Sequence, residues 1–437
     1  MSMEQINAAK AAISATSAYQ TVTEFFDADS FCEIDAFAKS DGGFAEVVAG
    51  YGTVEGLPVY AFAQNSAFSG GAMSKAQALK LKKLYALALK TGAPVVGFYD
   101  SVGGRLAQGT ELLAGVGETL KYASRISGAV PQVSVVLGTC LGTNALAAAS
   151  ADFVIMTEDA QLSLDVTGKD ADAKTNAAKG TASFVVKDTA AAVAQARELM
   201  TYLPSNNLTT APQTDSVEPD GENGNCIVSK LVDGGSKLRI ADDWGDNARI
   251  RLARLGGQVV GVVRTTGGKL DGKAAQKTAK FVRFCDAFSL PVITFADCDG
   301  FCCLKAAAKV TAADAEATTA KISVVVGKAI GSAYIALAGT GANADVVYAL
   351  PDAVISPVNV EAAAFIMAPE EMKVPVAEQK AVAEKFAAEN LSAFSAAQNG
   401  YVDGITELHE LRGALLSALD MLSGKRVPTV AKKHSTI

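Results

Sequence analysis

Apolar residues run along this chain in two alternating forms: short unbroken stretches, and longer ones in which they recur every three or four positions. The first form appears in LPVYAFAQ (57–64), VVGFYD (95–100), VSVVLG (133–138) and DFVIMT (152–157). Runs of that length predict strands covered on both faces. The second form lies between the first two runs, opened by Ser74 as a helix N-cap and stopped at Thr91-Gly92, which predicts a helix. Strands alternating with helices imply βαβ crossovers and a mostly parallel sheet. Residues 126–151 carry no charge, a length that would cross a bilayer. Pro131, Gly138, Gly142 and Asn144 divide that stretch into strand, turn and helix, the reading adopted here.

The same order then returns. VSVVLG recurs as ISVVVG at 322–327, 189 positions on, so Gly142 falls on Gly331, Thr143 on Ser332 and Asn144 on Ala333. DFVIMTEDAQLS from Asp152 recurs as DVVYALPDAVIS from Asp345, 193 on; GAPVVGFYD ending at Asp100 recurs as SLPVITFAD ending at Asp297, 197 on. Gly70-Gly71 falls on Gly267-Gly268, and QVVGVVRT (258–265) supplies the opening strand. The drift in spacing is what loop insertions produce. The expectation is an α/β chain of two copies: a domain over 1–203, a linker over 204–225 rich in Pro, Asn, Asp and Thr, and a domain over 226–437. Each copy should close on its DFVIMT or DVVYAL strand. Residues 376–426 read as helical and should pack on the second copy or on a neighbouring subunit.

Composition narrows the chemistry. Of 437 residues, 49% are hydrophobic and 19% charged, with a formal charge of −7; this excludes a disordered chain and argues against a nucleic-acid or anionic-membrane binder. The two histidines, His409 and His434, both lie near the C-terminus, so a Ser-His-Asp triad or a His-rich metal site is disfavoured. The seven cysteines form no CxxC pair. Their odd number, with no recognisable signal peptide, fits reduced thiols and a cytoplasmic protein.

Ligands of a parallel sheet sit at the carboxyl ends of its strands. Those ends carry CLGTNALA and AIGSAYIA, each a glycine turn opening into a helix. Amides at a helix start stabilise negative charge, which is what an oxyanion hole requires, and no histidine is needed. The alternative is that these small residues simply let helix and sheet pack closely. Asp100 and Asp297 end matched strands and are candidates either for general bases or for capping the next turn. Lys75, Lys80, Lys82, Lys83 and Lys90 on the first helix form either a solvated face or a phosphate contact. Glu371-Met372-Lys373 contains the Met-Lys pair of biotinylated carriers, but no compact β-rich carrier domain surrounds it.

The runs YGTVEGLPVYAFAQNSAFSGGAMSKAQALKLKKLYALALKTGAPVVGFYDSVGGR and GAVPQVSVVLGTCLGTNALAAASADFVIM resemble the carboxyltransferase subunits of biotin-dependent enzymes. So do FVRFCDAFSLPVITFADCDGF and KISVVVGKAIGSAYIALAGTGANADVVYALPDAVIS. That family includes β subunits of acyl-CoA carboxylases, the transcarboxylase core and the large subunit of sodium-pumping acyl-CoA decarboxylases. The resemblance implies two duplicated crotonase-like (ClpP/crotonase) βαβ spiral domains. It also implies transfer of a carboxyl group between biotin on a separate carrier protein and the α-carbon of a short acyl-CoA, a coenzyme A thioester substrate of the acetyl, propionyl or methylmalonyl class. By position, the thioester oxyanion hole maps to the amides of Gly142 and Thr143, and the biotin hole to those of Ser332 and Ala333. Ligand-binding positions map to Gly70, Gly71, Gly103, Gly104, Arg105 and Gly331. The implied partners are a biotin carboxyl carrier protein with either a biotin carboxylase or membrane decarboxylase subunits. The implied assembly is a homo-oligomer, a hexamer built from dimers, and no metal is implied in this subunit.

Several positions depart from the family pattern. Thr143 and Ser332 stand where glycines are usual, Ser101-Val102-Gly103-Gly104-Arg105 replaces Ser-Gly-Gly-Ala-Arg, and Asp297-Cys298-Asp299-Gly300-Phe301 replaces Asp-Val-Pro-Gly-Phe. A short Ala-rich stretch follows Phe301 in place of a longer active-site segment. These departures leave open a non-catalytic CoA-binding or assembly paralogue; the large subunit of a sodium-pumping decarboxylase, which would differ in partners rather than in this chain, is the other alternative.

Overall fold

The computed structural model describes residues 3–40, 43–44, 46–221 and 226–428; His434 and the last four positions of the expected linker lie outside them. The chain divides into two compact units, Met1–Pro212 and Gln213–Ile437.

In the first unit, strands β1 (Val47–Val54) and β2 (Leu57–Gln64) form an antiparallel hairpin. The chain continues through α1 (Lys75–Thr91), β3 (Val95–Ser101), α2 (Thr110–Ile126), β4 (Gln132–Leu141), α3 (Thr143–Ala149), β5 (Phe153–Thr157), β6 (Gln161–Ser163) and β7 (Phe184–Val186). From β2 onward every neighbour is parallel, in the order β2-β3-β4-β5-β7, with β6 also on β4. The second unit repeats the plan with β8 (Ala248–Leu255), β9 (Gln258–Thr265), α4 (Gly272–Ala287), β10 (Val292–Cys298), α5 (Leu304–Glu316), β11 (Lys321–Ile330), β12 (Val346–Ala349), β13 (Val354–Ser356) and β14 (Gly404–Ile405). Its order is β8-β9-β10-β11-β12-β14, with β13 on β11. This is the duplicated crotonase-like α/β fold.

The expected closing strands are not the last ones. β7 adds to β5 and β14 to β12, both parallel. At three and two residues, these strands are too short to leave a periodic signature. Helix α1 begins and ends as its sequence requires. Ser74 accepts the Gln77 amide at 3.1 Å, and Gly92 takes the left-handed conformation (φ 64°) with its N–H on Ala88 O. Phe62, Leu81, Leu84, Val95 and Met156 are buried together in the first unit, each contributing about 1.5–3 kcal/mol. In the second, Val260, Val262, Ile293 and Val324 pack with Leu411, Leu415 and Leu419 of α6 (Leu408–Leu422), so the C-terminal helical region does cover the second copy.

The α1 lysines are not a uniform solvated face. Lys75, Lys82 and Lys83 pair with Glu111, Glu118 and Asp35, but Lys80 is 3% exposed, bonded to Glu33 at 2.8 Å and to Val47 O at 3.0 Å. Its match 197 positions on, Lys277, is equally buried and donates to Ala241 O. The long stem fills a core-facing position while the ammonium reaches a polar rim.

Asp27 links the N-terminal helical segment to the β1–β2 hairpin. Its carboxylate accepts from Thr53 Oγ1, the Glu55 and Gly56 amides, and Arg197. Burial pushes its pKa up, but the bonds from Gly56, Arg197, Thr53 and Glu55 outweigh this and hold it at about 2. The stabilisation is therefore present above the ordinary 3.8 and is lost as pH falls towards 2. Asp27→Asn should lower stability by about 1 kcal/mol at pH 7, allowing for solvent screening. The difference from the parent, read by urea unfolding, should shrink as the pH approaches 3.

Candidate functional site

In each unit, three loops meet at the carboxyl ends of three adjacent parallel strands. In the first unit they follow β2, β3 and β4. Gly70 and Gly71 both have positive φ (61° and 68°), Gly70 O accepts from the Val102 amide, and a Cβ on Gly71 would lie 2.2 Å from Asp100 O. That turn is thereby fixed to the loop after β3. Gly103 (φ 121°) gives its carbonyl to the Met73 amide, the Ser101 hydroxyl and the Asn144 side chain. Gly104 forms an isolated bridge to Met73, and a Cβ there would lie 2.5 Å from Leu112. The Arg105 guanidinium is taken up by buried Glu46 and by Ser69 Oγ, and Glu46 in turn accepts from Ser74. Arg105 thereby holds the turn.

The loop after β4 is the glycine turn itself. Gly142 has φ 63° and ψ −135°, a conformation essentially confined to glycine. Its N–H continues the ladder by donating to Ser163 O at 2.9 Å. Gly142 therefore does not offer its amide to a ligand, a correction to the expected pair. The first helical residues are Thr143 and Asn144, and first-turn amides have no intrahelical acceptor. Gly331 behaves identically, with φ 51° and its N–H on Ser356 O at 2.7 Å, which leaves Ser332 and Ala333 at the start of the following helix. The duplication thus pairs Thr143 with Ser332 and Asn144 with Ala333. A π-type turn, Tyr334–Ala338, follows the second glycine turn.

Asp100 and Asp297 are built into the strands rather than aimed at solvent. The register between β3 and β4 shifts between Tyr99 and Ser101, and that between β10 and β11 shifts between Ala296 and Cys298. At these bulges Asp100 accepts the Thr139 amide (3.3 Å) and Asp297 the Lys328 amide (2.9 Å). A Cβ on Gly138 or Gly327 would lie 2.5 Å from the carboxylate. Each aspartate thus ties two adjacent strands together at a bulge, rather than capping the turn that follows it.

Asn144 is the residue whose importance sequence reasoning missed. It is fully buried, and its Nδ2 donates to Ser101 Oγ (2.6 Å) and Gly103 O (3.0 Å), locking the start of α3 to the loop after β3. The second unit has Ala333 and Cys298 at these positions, with Cys298 Sγ on Gly300 O. That copy closes without the clamp, so Asn144→Ala should fold. It is expected to lose about 1–2 kcal/mol of stability and, if the first turn acts on substrate, about tenfold in kcat, measured by urea unfolding and steady-state rates.

A cleft of about 690 Å³ opens beside the second turn, lined by Gly331, Ser332, Asn359, Glu361, Asp299 and two lysines, Lys269 and Lys328. Among the described residues no cluster of three or more His, Cys, Asp or Glu could hold a metal ion, and no helix is long and apolar enough to cross a membrane.

The carboxyl transferase domain family matches residues 16–437. The alpha subunit of methylmalonyl-CoA decarboxylase from Veillonella parvula is 32% identical over 475 aligned positions, covering 96% of this chain and 92% of that protein. The 12S subunit of methylmalonyl-CoA carboxyltransferase from Propionibacterium freudenreichii subsp. shermanii is 33% identical over 478 positions, covering 95% and 90%. A solved structure of transcarboxylase 12S, described as a hexamer with hydrolysed methylmalonyl-coenzyme A bound, superposes with a TM-score of 0.92 at 30% identity, covering 99% of this chain and 97% of that one. Both sequence alignments are longer than the 437 residues here, so these relatives contain internal segments that this chain lacks.

Proposed function

The chain belongs to the carboxyl transferase domain family, and from that premise we propose that it moves a carboxyl group between biotin on a separate carrier protein and the α-carbon of a short acyl-CoA. The observation that carries this reading is the pair of matched glycine turns, each presenting two helix-start amides at the carboxyl ends of parallel strands. In the first unit, the amides of Thr143 and Asn144 stabilise the oxyanion that develops on a thioester as its α-carbon becomes nucleophilic. In the second, those of Ser332 and Ala333 draw electron density onto a ureido oxygen, which makes the attached carboxyl group easier to release. Both are preorganised main-chain donors that need no reorientation as charge develops. Bringing the two reactants together supplies the rest of the barrier reduction.

The cleft beside the second turn, which Asp299 and Glu361 also line, holds groups suited to a carboxylated ureido ring. Lys269 and Lys328 provide cations for a carboxylate, and Asn359 a neutral hydrogen-bonding group. On this reading the chain acts as a homo-oligomer in the cytoplasm, with a carrier protein and either a biotin carboxylase or membrane decarboxylase subunits. The name of the Veillonella parvula relative supports a decarboxylase as the second reading; the two differ in partners rather than in these turns. The test is to incubate the purified chain with carboxyl-labelled malonyl-CoA or methylmalonyl-CoA and biotin, free or carrier-bound, and to follow the label. Saturable transfer to biotin or release as CO2 supports the proposal. Acyl-CoA binding without turnover across both thioesters overturns it in favour of a non-catalytic subunit.

A further inference from the structure

Cys226 opens a short helical turn, Ile227–Lys230, in the second unit and is half-buried. Two guanidinium groups converge on its sulfur: Arg264 Nη1 of β9 at 3.1 Å and Arg251 Nη1 of β8 at 3.5 Å. Arg251 is 8% exposed, and its Nε is buried without a hydrogen-bond partner. Among the described residues, no carboxylate forms an ion pair with either arginine. Two cations, one nearly buried, are thus aimed at one sulfur, an arrangement that a neutral thiol leaves uncompensated.

We propose that Cys226 is a modification site, a nucleophilic sulfur held between Arg251 and Arg264 that takes an anionic low-molecular-weight disulfide. Ionisation of the thiol compensates one of the two positive charges, and the other remains to draw an anionic reagent. Burial alone would push the thiol pKa up. The hydrogen bonds from Arg251 and the Val228 amide and the charges of Arg251 and Arg264 outweigh burial, so the group titrates below an ordinary thiol. The other cysteines differ. Cys140, Cys285 and Cys298 are buried and pushed upward, while exposed Cys32 and Cys302 and half-buried Cys303 have no guanidinium at hydrogen-bond distance among the described residues. In the reaction, the Cys226 thiolate attacks one sulfur of the reagent. A protein–reagent S–S bond forms as the reagent's own S–S bond breaks, and the other half leaves as a thiolate that takes a proton from water. Cys226 is oxidised and the released half is reduced.

The experiment uses the full chain with excess oxidised glutathione at pH 7, quenched at intervals and mapped by peptide mass. The adduct at Cys226 should form about tenfold faster than at exposed Cys302. Cystamine, a dicationic disulfide, should lose most of that preference on the same unaltered protein. Arg264→Gln should slow Cys226 about tenfold and leave Cys302 unchanged. If that variant does not fold, the comparison of the two disulfides on the parent protein decides. A Cys226 that stays unmodified, reacts no faster than Cys302, or shows the same preference with both disulfides overturns the proposal.

Discussion

Thr143→Pro is expected to lower turnover about 10²–10³-fold while leaving the protein folded. Thr143 is the first residue of α3, a position where proline is tolerated because its missing N–H has no intrahelical partner. The preceding Gly142 has ψ −135°, outside the α region that a following proline disfavours. The substitution therefore removes one donor from the first turn and little else. Thr143→Ala is the control, since it deletes the side chain but keeps the amide, and should retain most of the activity. Steady-state rates with a short acyl-CoA, alongside urea unfolding, separate loss of the donor from loss of the fold.

Gly331→Ala should be strongly damaging to the second glycine turn. At φ 51° an alanine is strained, and its Cβ would lie 2.8 Å from the main-chain oxygen of Pro357, which has no flexible end to move. The turn must shift, and with it the Ser332 and Ala333 amides. A misplacement of about 1 Å is enough to lower kcat about 10²-fold. The matched Gly142→Ala meets only Val166 Cγ1, at 3.6 Å. It bears the conformational strain without the clash and should lose less. The ratio of the two kcat losses, with refolding yields as a control, tests this difference.

The strands, the duplication and the helix caps were legible because each rests on local signals: unbroken apolar runs, a serine before a periodic stretch, a glycine after it. The glycine turns were legible as places for the same reason. Their use was only half legible. Nothing local announces that the Gly142 amide is consumed by Ser163, twenty-one positions on, because that bond depends on β6 returning alongside β4. The duplication did contain the information: aligning Thr143 with Ser332 and Asn144 with Ala333 identifies the same pair of amides in both copies. Asn144 as a clamp, Arg105 against Glu46 and the buried Lys80 were illegible for a common reason. Each is a polar side chain bonded to a partner distant in sequence, and composition cannot distinguish such a residue from one waiting for a ligand. Asp100 and Asp297 show the same ambiguity resolved towards structure, by a bulge that no periodicity signals.

The central claim is that both glycine turns act on reactants, one per copy. The most direct test is transfer of labelled carboxyl from methylmalonyl-CoA to biotin by the parent protein, Thr143→Pro and Ser332→Pro, combined with deuterium exchange at the α-carbon of propionyl-CoA. The parent should do both. Thr143→Pro should lose both transfer and exchange, and Ser332→Pro should lose transfer while keeping exchange. Transfer at the parent rate in both folded variants, or none in the parent itself, would contradict the account.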